Sequence, residues 1–313
     1  MTEPAIVVAG LVKRYRNADS NAVDGISFRV RSGEFFTLLG PNGAGKTTTI
    51  SILTTMLSPT AGTARIAGHD VRTEASAVRR CVGIIFQSHS LDQNLTAEEN
   101  VRLHAVLYGV FPYRPLFRLM PREYRERVGD LAALLGIEAE MFRPVRTFSS
   151  GMKRKLEIVR SLMHRPQVLF LDEPTAGLDV VSRRALWEYL RDARERSGTT
   201  IFLTTHYIEE AEDCDTVCII NRGRIVSYGS PDAVKADLTA QYVLVDAADR
   251  AGLRAELARR EIAFRETPLF RIDLDGTSAH AILRSIETPL TVVRTHAPTL
   301  EDAYLEIVGR EAS

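Results

Sequence analysis

The most informative segment of this chain is Phe35-Phe36-Thr37-Leu38-Leu39-Gly40-Pro41-Asn42-Gly43-Ala44-Gly45-Lys46-Thr47. Its first five residues form an apolar run typical of a buried β-strand, and a helix is predicted over 47–56. The residues between fit the spacing G-x-x-x-x-G-K-T, in which glycines let backbone N–H groups surround phosphate oxygens. A chance glycine-rich turn would not place Lys46 and Thr47 at the required offset. The segment therefore predicts a strand–loop–helix unit that binds nucleotide phosphates at a helix N-terminus.

Each polar side chain of the loop has a predicted role. Lys46 is expected to reach the β- and γ-phosphates, and the Thr47 hydroxyl is expected to ligate Mg²⁺. The nucleotide-binding residues predicted here are Gly40, Pro41, Asn42, Gly43, Ala44, Gly45, Lys46, Thr47 and Thr48. The loop does not state what use is made of the nucleotide, which depends on residues further along the chain.

The overall composition excludes several classes of protein. The chain has 313 residues, of which 45% are hydrophobic and 26% charged, values ordinary for a globular protein. Lys plus Arg and Asp plus Glu both number 40, so the net charge is zero and no nucleic-acid partner is expected. Apolar runs such as 168–171 have only the length of core strands. A membrane-spanning helix needs about 20 apolar residues, so no such helix is predicted. Three cysteines are too few for a disulfide framework.

Strand and helix patterns divide the chain into two predicted domains. Over residues 1–229, strands alternate with helices, which favours a mostly parallel α/β core. Helical periodicity dominates about 88–164 and predicts an inserted helical subdomain. Gly229-Ser230-Pro231 marks a boundary. Residues 230–313 are predicted to form a small α+β domain, interpreted as a dimerisation or regulatory unit.

Two adjacent carboxylates follow an apolar strand that ends at Leu171. Asp172 is well placed to hold Mg²⁺ through water, and Glu173 to polarise an attacking water molecule. Paired acids after a strand are often only a solvated turn. Together with the upstream phosphate loop, the functional interpretation is favoured.

Further motifs make the chain resemble the ATP-binding subunits of ABC transporters. Phe148-Ser149-Ser150-Gly151-Met152-Lys153 resembles the ABC signature, and Asp172-Glu173-Pro174-Thr175-Ala176-Gly177-Leu178-Asp179 resembles the Walker B segment with its D-loop. With the phosphate loop, these motifs stand in the family's order over about residues 5–230. The resemblance implies a P-loop α/β fold with a helical subdomain, and ATP and Mg²⁺ as ligands.

The resemblance also assigns roles to isolated residues. Tyr15 stands where an aromatic ring stacks on adenine, and a stacked ring tolerates any base. Gln87 stands at the Q-loop position, where its side chain reaches Mg²⁺ or the attacking water. His206 stands at the switch-histidine position, where it contacts the γ-phosphate. Asp179 belongs to the D-loop. The catalytic set implied by the resemblance is Glu173, His206 and Gln87, and the Mg²⁺ set is Thr47, Gln87 and Asp172.

The signature residues imply a dimer. Ser149, Ser150, Gly151 and Met152 begin a helix, whose N-terminus attracts anions. In the family this end faces the γ-phosphate held by the opposite subunit, so that ATP joins two ATPase subunits, here expected to be a homodimer. The family's usual Ser-Gly-Gly is Ser149-Ser150-Gly151 in this chain. We expect activity to survive this change at a lower rate; the alternative is a degenerate site compensated by a partner subunit.

Three segments resemble drug and antibiotic exporters of the daunorubicin-resistance type. They are 91–100 after the Q-loop, 148–156 at the signature and 298–305 near the end of the chain. This resemblance implies an ABC-2 type integral-membrane permease as partner and a peripheral position on the cytoplasmic face of the membrane. Other nucleotide-binding classes are disfavoured. A ribosome-associated ATPase would normally carry two cassettes in one chain, and a DNA-repair ATPase would carry a long coiled-coil insertion, whereas this sequence shows one cassette and no such insertion. A GTPase or small-molecule kinase would lack the signature helix. The transported substance cannot be inferred.

The segment 110–120 is longer and more apolar than is typical of the family at this point. Its aromatic residues alternate with arginines, which suits a partner surface or a membrane-facing edge. The alternative is an ordinary interhelical loop folded against its own core.

Overall fold

The structure is a computed structural model that describes residues 3–16, 18–86, 90–175, 178–238, 242–266, 268–274, 277–296 and 299–304. The chain divides into two compact units, Met1–Tyr228 and Gly229–Ser313. Within the described ranges, none of the helices combines the length and the apolar character that crossing a bilayer requires.

The first unit mixes strands and helices along the chain. Its strands are β1 Pro4–Lys13, β2 Val23–Arg31, β3 Phe35–Leu39, β4 Ala61–Ile66, β5 His69–Asp70, β6 Val82–Ile85, β7 Val168–Asp172, β8 Thr200–Thr205, β9 Thr216–Asn221 and β10 Arg224–Gly229. Its helices are α1 Lys46–Leu53, α2 Ala75–Cys81, α3 Ala97–Leu107, α4 Arg122–Leu134, α5 Ser150–Leu162 and α6 Val180–Ser197. The α/β fold class predicted from the sequence is confirmed.

A central sheet with the order β10-β9-β3-β8-β7-β6 forms the core of this unit. Strand β3 pairs in parallel with β8 and β9, and β7 pairs in parallel with β6 and β8. The register sets Leu39 opposite Thr205 and Asp172 opposite Thr204. The carboxyl ends of β3, β7 and β8 therefore meet at one edge, which is where ligands bind in open parallel sheets.

The residues of these central strands explain why the sheet is buried. All residues of β3, β7, β8 and β9 are buried, as expected for parallel strands covered on both faces. The ring of Phe36 stacks on that of Phe202 at 5.0 Å, and Phe170 lies 5.3 Å from Phe202. This aromatic cluster fixes the strands from which the polar edge residues project.

A second, antiparallel sheet with the order β2-β1-β4-β5 accompanies the parallel one. The sequence pattern predicts β1, β2 and β4, but neither β5 nor the separate sheet was predicted. Strand β1 ends at Lys13, so Tyr15 lies two residues beyond the end of this strand.

The helical segment lies between β6 and β7 and contains α3, α4 and α5. Helix α3 begins with a capping box, in which Thr96 and Glu99 satisfy each other's backbone N–H groups. The 110–120 segment is partly folded against this subdomain, since Phe111 and Met120 are buried and the Phe117 ring packs 6.2 Å from that of Tyr124. Other apolar side chains of the segment are exposed, namely Val110, Tyr113, Leu116 and Leu119.

The second unit is an α+β fold. Its elements are α7 Pro231–Leu238, β11 Tyr242–Ala247, α8 Arg250–Arg259, β12 Arg265–Glu266, β13 Phe270–Asp273, α9 Ala279–Ser285 and β14 Leu290–His296. The antiparallel sheet order β12-β13-β11-β14, with helices after β11 and β13, is the ferredoxin-like arrangement. Residues 300–304 are helical.

Some elements differ from the sequence prediction. Helix α1 ends at Leu53 rather than Met56. Residues Ile208–Glu210, which follow β8, form a 3-10 turn. Helix α2 was not predicted because Val78 is its one buried residue, which leaves no apolar periodicity. Strand β10 was missed because its residues are half-buried or exposed.

Candidate functional site

The glycine-rich loop connects β3 to α1, as the sequence predicted. Gly45 has φ 108°, and a side chain there would collide with the carbonyl oxygen of Ala22. Gly40 is equally constrained, since a Cβ would meet the carbonyl oxygen of Ile220. Only glycine fits these positions, because the loop turns tightly against neighbouring backbone.

Lys46 is held over this loop. Its Nζ donates hydrogen bonds to the carbonyl oxygens of Gly40 at 2.7 Å and Pro41 at 3.1 Å, and the side chain is buried. Burial lowers the pKa of Lys46, while the carboxylates of Glu173 and Asp172 oppose this shift. The loop thus presents a desolvated ammonium group at the helix N-terminus, which suits an anionic ligand.

Asp172 ends β7 and faces α1. Its Oδ1 accepts hydrogen bonds from the hydroxyl of Thr47 at 3.5 Å and from that of Thr204. Among the described residues, no group of three or more His, Cys, Asp or Glu side chains could hold a metal ion. A Thr hydroxyl beside one carboxylate nevertheless fits Mg²⁺, which is usually held by one or two carboxylates together with the phosphates of a substrate. Asp172 and Thr47 are therefore the described side chains that would hold it.

Glu173 follows in an unusual backbone conformation. Its φ is 49°, in the left-handed region that non-glycine residues seldom adopt, and its N–H donates to the carbonyl oxygen of Thr204 at 3.0 Å. The carboxylate lies 4.0 Å from Lys46 Nζ. His206, just after β8, places Nδ1 3.0 Å from Glu173 Oε1. The three sequence-predicted groups therefore meet.

These groups surround a cavity of about 420 Å³. It is lined by Ala22, Asn42, Gly43, Gly45, Lys46, Thr47, Thr48, Glu173 and His206. A larger cavity of about 510 Å³ is lined by Gln167, Val168 and Thr200, which lie at the amino-terminal ends of β7 and β8. Lys46, Glu173 and His206 therefore lie together at the smaller cavity, on the opposite edge of the sheet.

Tyr15 lies beside the loop. Its hydroxyl is 3.2 Å from Thr48 Oγ1, and its ring is 46% exposed. The Lys13 ammonium lies 5.7 Å from the ring centroid. The structure thus places an accessible aromatic ring next to the phosphate loop.

The signature residues form the tip of α5 and do not line the Lys46 cavity. The Ser149 side chain caps the helix by accepting a hydrogen bond from the Met152 N–H at 3.2 Å, and Ser149 and Ser150 are exposed. A Cβ on Gly151 would meet nothing within 4 Å. This helix tip is open to a partner.

Asp179 caps α6. It accepts hydrogen bonds from the Ser182 N–H at 2.9 Å and the Ser182 hydroxyl at 2.6 Å, and these bonds lower its pKa. Val180 and Val181 beside it are 81% and 78% exposed. Gln87, the predicted Q-loop residue, lies outside the described residues, as do Ala176 and Gly177 of the D-loop segment.

Sequence reasoning missed two residues next to the site. Thr204 bonds both Asp172 and Glu173, and the sequence signal for it was the Thr204-Thr205 pair that ends an apolar run just before His206. Arg154 on α5 donates to the backbone of Asp172, Glu173 and Pro174. No sequence pattern indicated this long-range contact.

The comparisons with known proteins agree with one another. Residues 23–176 match the family model described as ABC transporter. The chain is 40% identical over 317 residues to Nod factor export ATP-binding protein I of Ralstonia nicotianae, with 98% of this chain and 95% of the relative covered. It is 36% identical over 327 residues to the daunorubicin/doxorubicin resistance ATP-binding protein DrrA of Streptomyces peucetius, covering 99% and 95%.

Solved structures show the same similarity. A structure described as the ATP binding subunit of an ABC transporter has a TM-score of 0.67 and 31% identity, covering 74% of this chain and 92% of that one. The dimeric structure of MJ0796, a bacterial ABC transporter cassette, has a TM-score of 0.65 and 25% identity, covering 72% and 98%.

Proposed function

The chain belongs to the ABC transporter family, and on this basis we propose that it is the ATP-hydrolysing subunit of an exporter, acting as a homodimer bound to a separate membrane permease. The observation that carries the proposal is the meeting of Lys46, Glu173 and His206 around the cavity beneath the glycine-rich loop. Catalysis of phosphoryl transfer needs little more than positioning and charge stabilisation, which these groups supply.

Each group has a defined part in hydrolysis. The loop N–H groups and Lys46 bind the phosphates of ATP, and Tyr15 stacks on the base. Thr47 and Asp172 would hold Mg²⁺, which would neutralise phosphate charge. Glu173 accepts a proton from the water that attacks the γ-phosphorus, while the bond from that phosphorus to the bridging oxygen of ADP breaks. His206, 3.0 Å from Glu173, orients the carboxylate and reaches toward the γ-phosphate.

The open tip of α5 supports a dimer. Ser149, Gly151 and their neighbours do not line the cavity of their own chain, and a helix N-terminus attracts phosphate. We therefore place the tip of one chain against the γ-phosphate held by its partner, as in the family, with Asp179 near the same interface. ATP then stabilises the closed dimer, and hydrolysis releases it.

The names of the relatives support export. Proteins named for Nod factor export and for daunorubicin resistance align with almost the whole chain. We propose that the chain lies at the cytoplasmic face of the membrane, that its permease is of the ABC-2 type, and that the cargo is a drug, an antibiotic or a lipid-like molecule. Co-purification from membranes with and without the permease tests this assembly.

The ferredoxin-like unit is proposed to aid dimerisation or regulation, and residues 1–229 to form the ATPase domain with its helical subdomain at about 88–164. Truncation after Gly229 followed by sizing in ATP tests the first point. Dimers that form as readily without residues 230–313 would remove a dimerisation role.

The decisive experiment is Glu173→Gln in the full-length chain. Because the amide cannot accept the proton, the variant should bind ATP, form a stable dimer in ATP and Mg²⁺, and lose about 10³-fold in kcat. Glu209→Gln, at an exposed glutamate near His206, is the matched control and should keep the wild-type rate. Wild-type hydrolysis by Glu173→Gln, or a strictly monomeric protein in ATP, would refute the proposal.

A further inference from the structure

Arg154 is a buried arginine whose donors are all used. Its Nε donates to the Pro174 carbonyl at 2.9 Å, and its Nη2 donates to the carbonyls of Asp172 at 3.2 Å and Glu173 at 3.0 Å. Its Nη1 donates to the Phe86 carbonyl and to the Glu157 carboxylate. A guanidinium has five N–H donors, and each therefore has an acceptor here.

This pattern differs from that of other arginines in the same subdomain. Within the described part of the chain, the Nε atoms of Arg102, Arg127 and Arg160 are buried without a hydrogen-bond partner. Arg127, for example, donates through Nη2 to the Leu162 carbonyl at the far end of α5. The full use of Arg154 is thus particular to its position beside the carboxylate pair.

Three of the four carbonyls that Arg154 binds, those of Asp172, Glu173 and Pro174, belong to the segment that holds Glu173. Glu173 has φ 49°, and its N–H bonds the carbonyl oxygen of Thr204. A left-handed conformation in a non-glycine residue persists only where its surroundings impose it. Arg154 on one side and Thr204 on the other supply these constraints, so the direction of the Glu173 side chain depends on both.

We propose that Arg154 is a positioning residue that holds Glu173 in the orientation needed for hydrolysis and ties it to the signature helix. This inference rests on the proposed function, because it assigns to Glu173 the role of proton acceptor. Arg154 lies on α5, whose tip carries Ser149 and Gly151. When the nucleotide held by the partner contacts this tip, any shift of α5 also shifts the Arg154 guanidinium. The hydrogen bonds from this guanidinium then move the backbone around Glu173 in the same chain.

Arg154→Lys tests the proposal, with Arg127→Lys as its control. An ammonium is a point charge with three donors and does not reproduce the planar fork. We expect Arg154→Lys to keep KM for ATP within about threefold and to lose about 10- to 100-fold in kcat, since small misplacements of a reacting group cost that much. Arg127→Lys should keep kcat within about threefold. If Arg154→Lys folds poorly, Arg154→Gln, which carries no buried charge, replaces it in the same assay.

A double-mutant cycle separates positioning from a general structural role. If Arg154 acts through Glu173, Arg154→Lys should lower the residual rate of Glu173→Gln by less than about threefold, and ATP-trapped dimers of the double variant should persist. A full 10-fold or greater loss in that background, a kcat unchanged by Arg154→Lys alone, or a loss of kcat matched by Arg127→Lys would each overturn the proposal. Wild-type activity in Glu173→Gln itself would instead refute the proposed function.

Discussion

Glu173 in the first unit and Glu256 in the second are both buried carboxylates, yet their surroundings differ in kind. Glu256 accepts hydrogen bonds from the N–H groups of Glu287 at 2.7 Å and Thr288 at 2.9 Å, and from the Thr288 hydroxyl at 2.6 Å. Arg260 adds an ion pair at 3.0 Å. Glu173 instead lines a cavity, with His206 and Lys46 beside it.

The difference separates a structural carboxylate from a chemical one. The bonds from Thr288 and Glu287 lower the pKa of Glu256 to about 2, so its charge serves to join α8 to the segment before β14. Glu173 instead lines a cavity beside Lys46 and His206, and it faces space that a substrate could fill. Burial alone would not have distinguished the two carboxylates; the cavity does.

Substitutions around Glu173 should lower ATP hydrolysis, whereas those around Glu256 should not. The largest loss of hydrolysis is expected from Lys46→Met. The substitution removes the ammonium that lies over the loop and 4.0 Å from Glu173, so ATP should lose its principal charge partner. We expect kcat/KM to fall by about 10²- to 10³-fold, measured as steady-state phosphate release. Lys235→Met in the second unit serves as control. A rate within twofold of wild type would show that the cavity is not the phosphate site.

His206→Ala should have the next largest effect. Without the 3.0 Å contact to Glu173, the carboxylate loses its orienting partner, and kcat should fall by about 10- to 100-fold. The matched control is His69→Ala, because His69 Nδ1 also lies 3.0 Å from a glutamate, Glu74, but on a surface away from the cavity. Equal losses from both substitutions would mean that the His206 contact has no special role.

Glu256→Gln should leave hydrolysis unchanged and loosen its own unit. The NH₂ group of the glutamine would replace one carboxylate oxygen, and it cannot accept a hydrogen bond from the N–H groups of Glu287 and Thr288. Because a bond to them is weakened or lost, these N–H groups should exchange with deuterium about tenfold faster. We expect kcat to stay within twofold of wild type. Loss of ATPase activity with unaltered exchange would reverse the roles assigned to the two carboxylates.

The sign of the pH dependence follows from the lowered pKa of Glu256. Because its pKa in the folded chain, about 2, lies below the ordinary value of 4.5, its contribution to stability is complete above pH 4.5. That contribution declines as pH falls toward 2. The difference in exchange rate between Glu256→Gln and wild type should therefore become smaller as pH falls from 4.5 to 2.

The smallest effect is expected from Ser150→Gly, which restores the family's usual signature. Ser150 is exposed at the first turn of α5, and the substitution leaves Ser149 and Gly151 on either side unchanged, so kcat should change by no more than about threefold. Steady-state hydrolysis of the full-length chain measures this. A tenfold or larger increase would show that this side chain obstructs the nucleotide of the partner.

The sequence predicted the site where local pattern and strand order suffice. The glycine-rich loop, Glu173 and His206 each follow a strand, Asp172 ends one, and parallel strands bring their carboxyl ends together. Arg154 and Thr204 escaped prediction because their roles come from contacts across the fold. Arg154 is 18 residues from Asp172 in sequence, and Thr204 is 32 residues from it. The ferredoxin-like order of the second unit likewise depends on strand pairing that no local motif specifies.

The backbone of Glu173 has a consequence for which side chain this position favours. A glycine at this position would relieve a left-handed conformation that costs a side-chain-bearing residue about 1 kcal/mol or more. Backbone conformation alone would thus favour glycine over glutamate at this position. The carboxylate stays at a backbone cost, as expected of a side chain that is kept for its chemistry rather than for the stability of the fold.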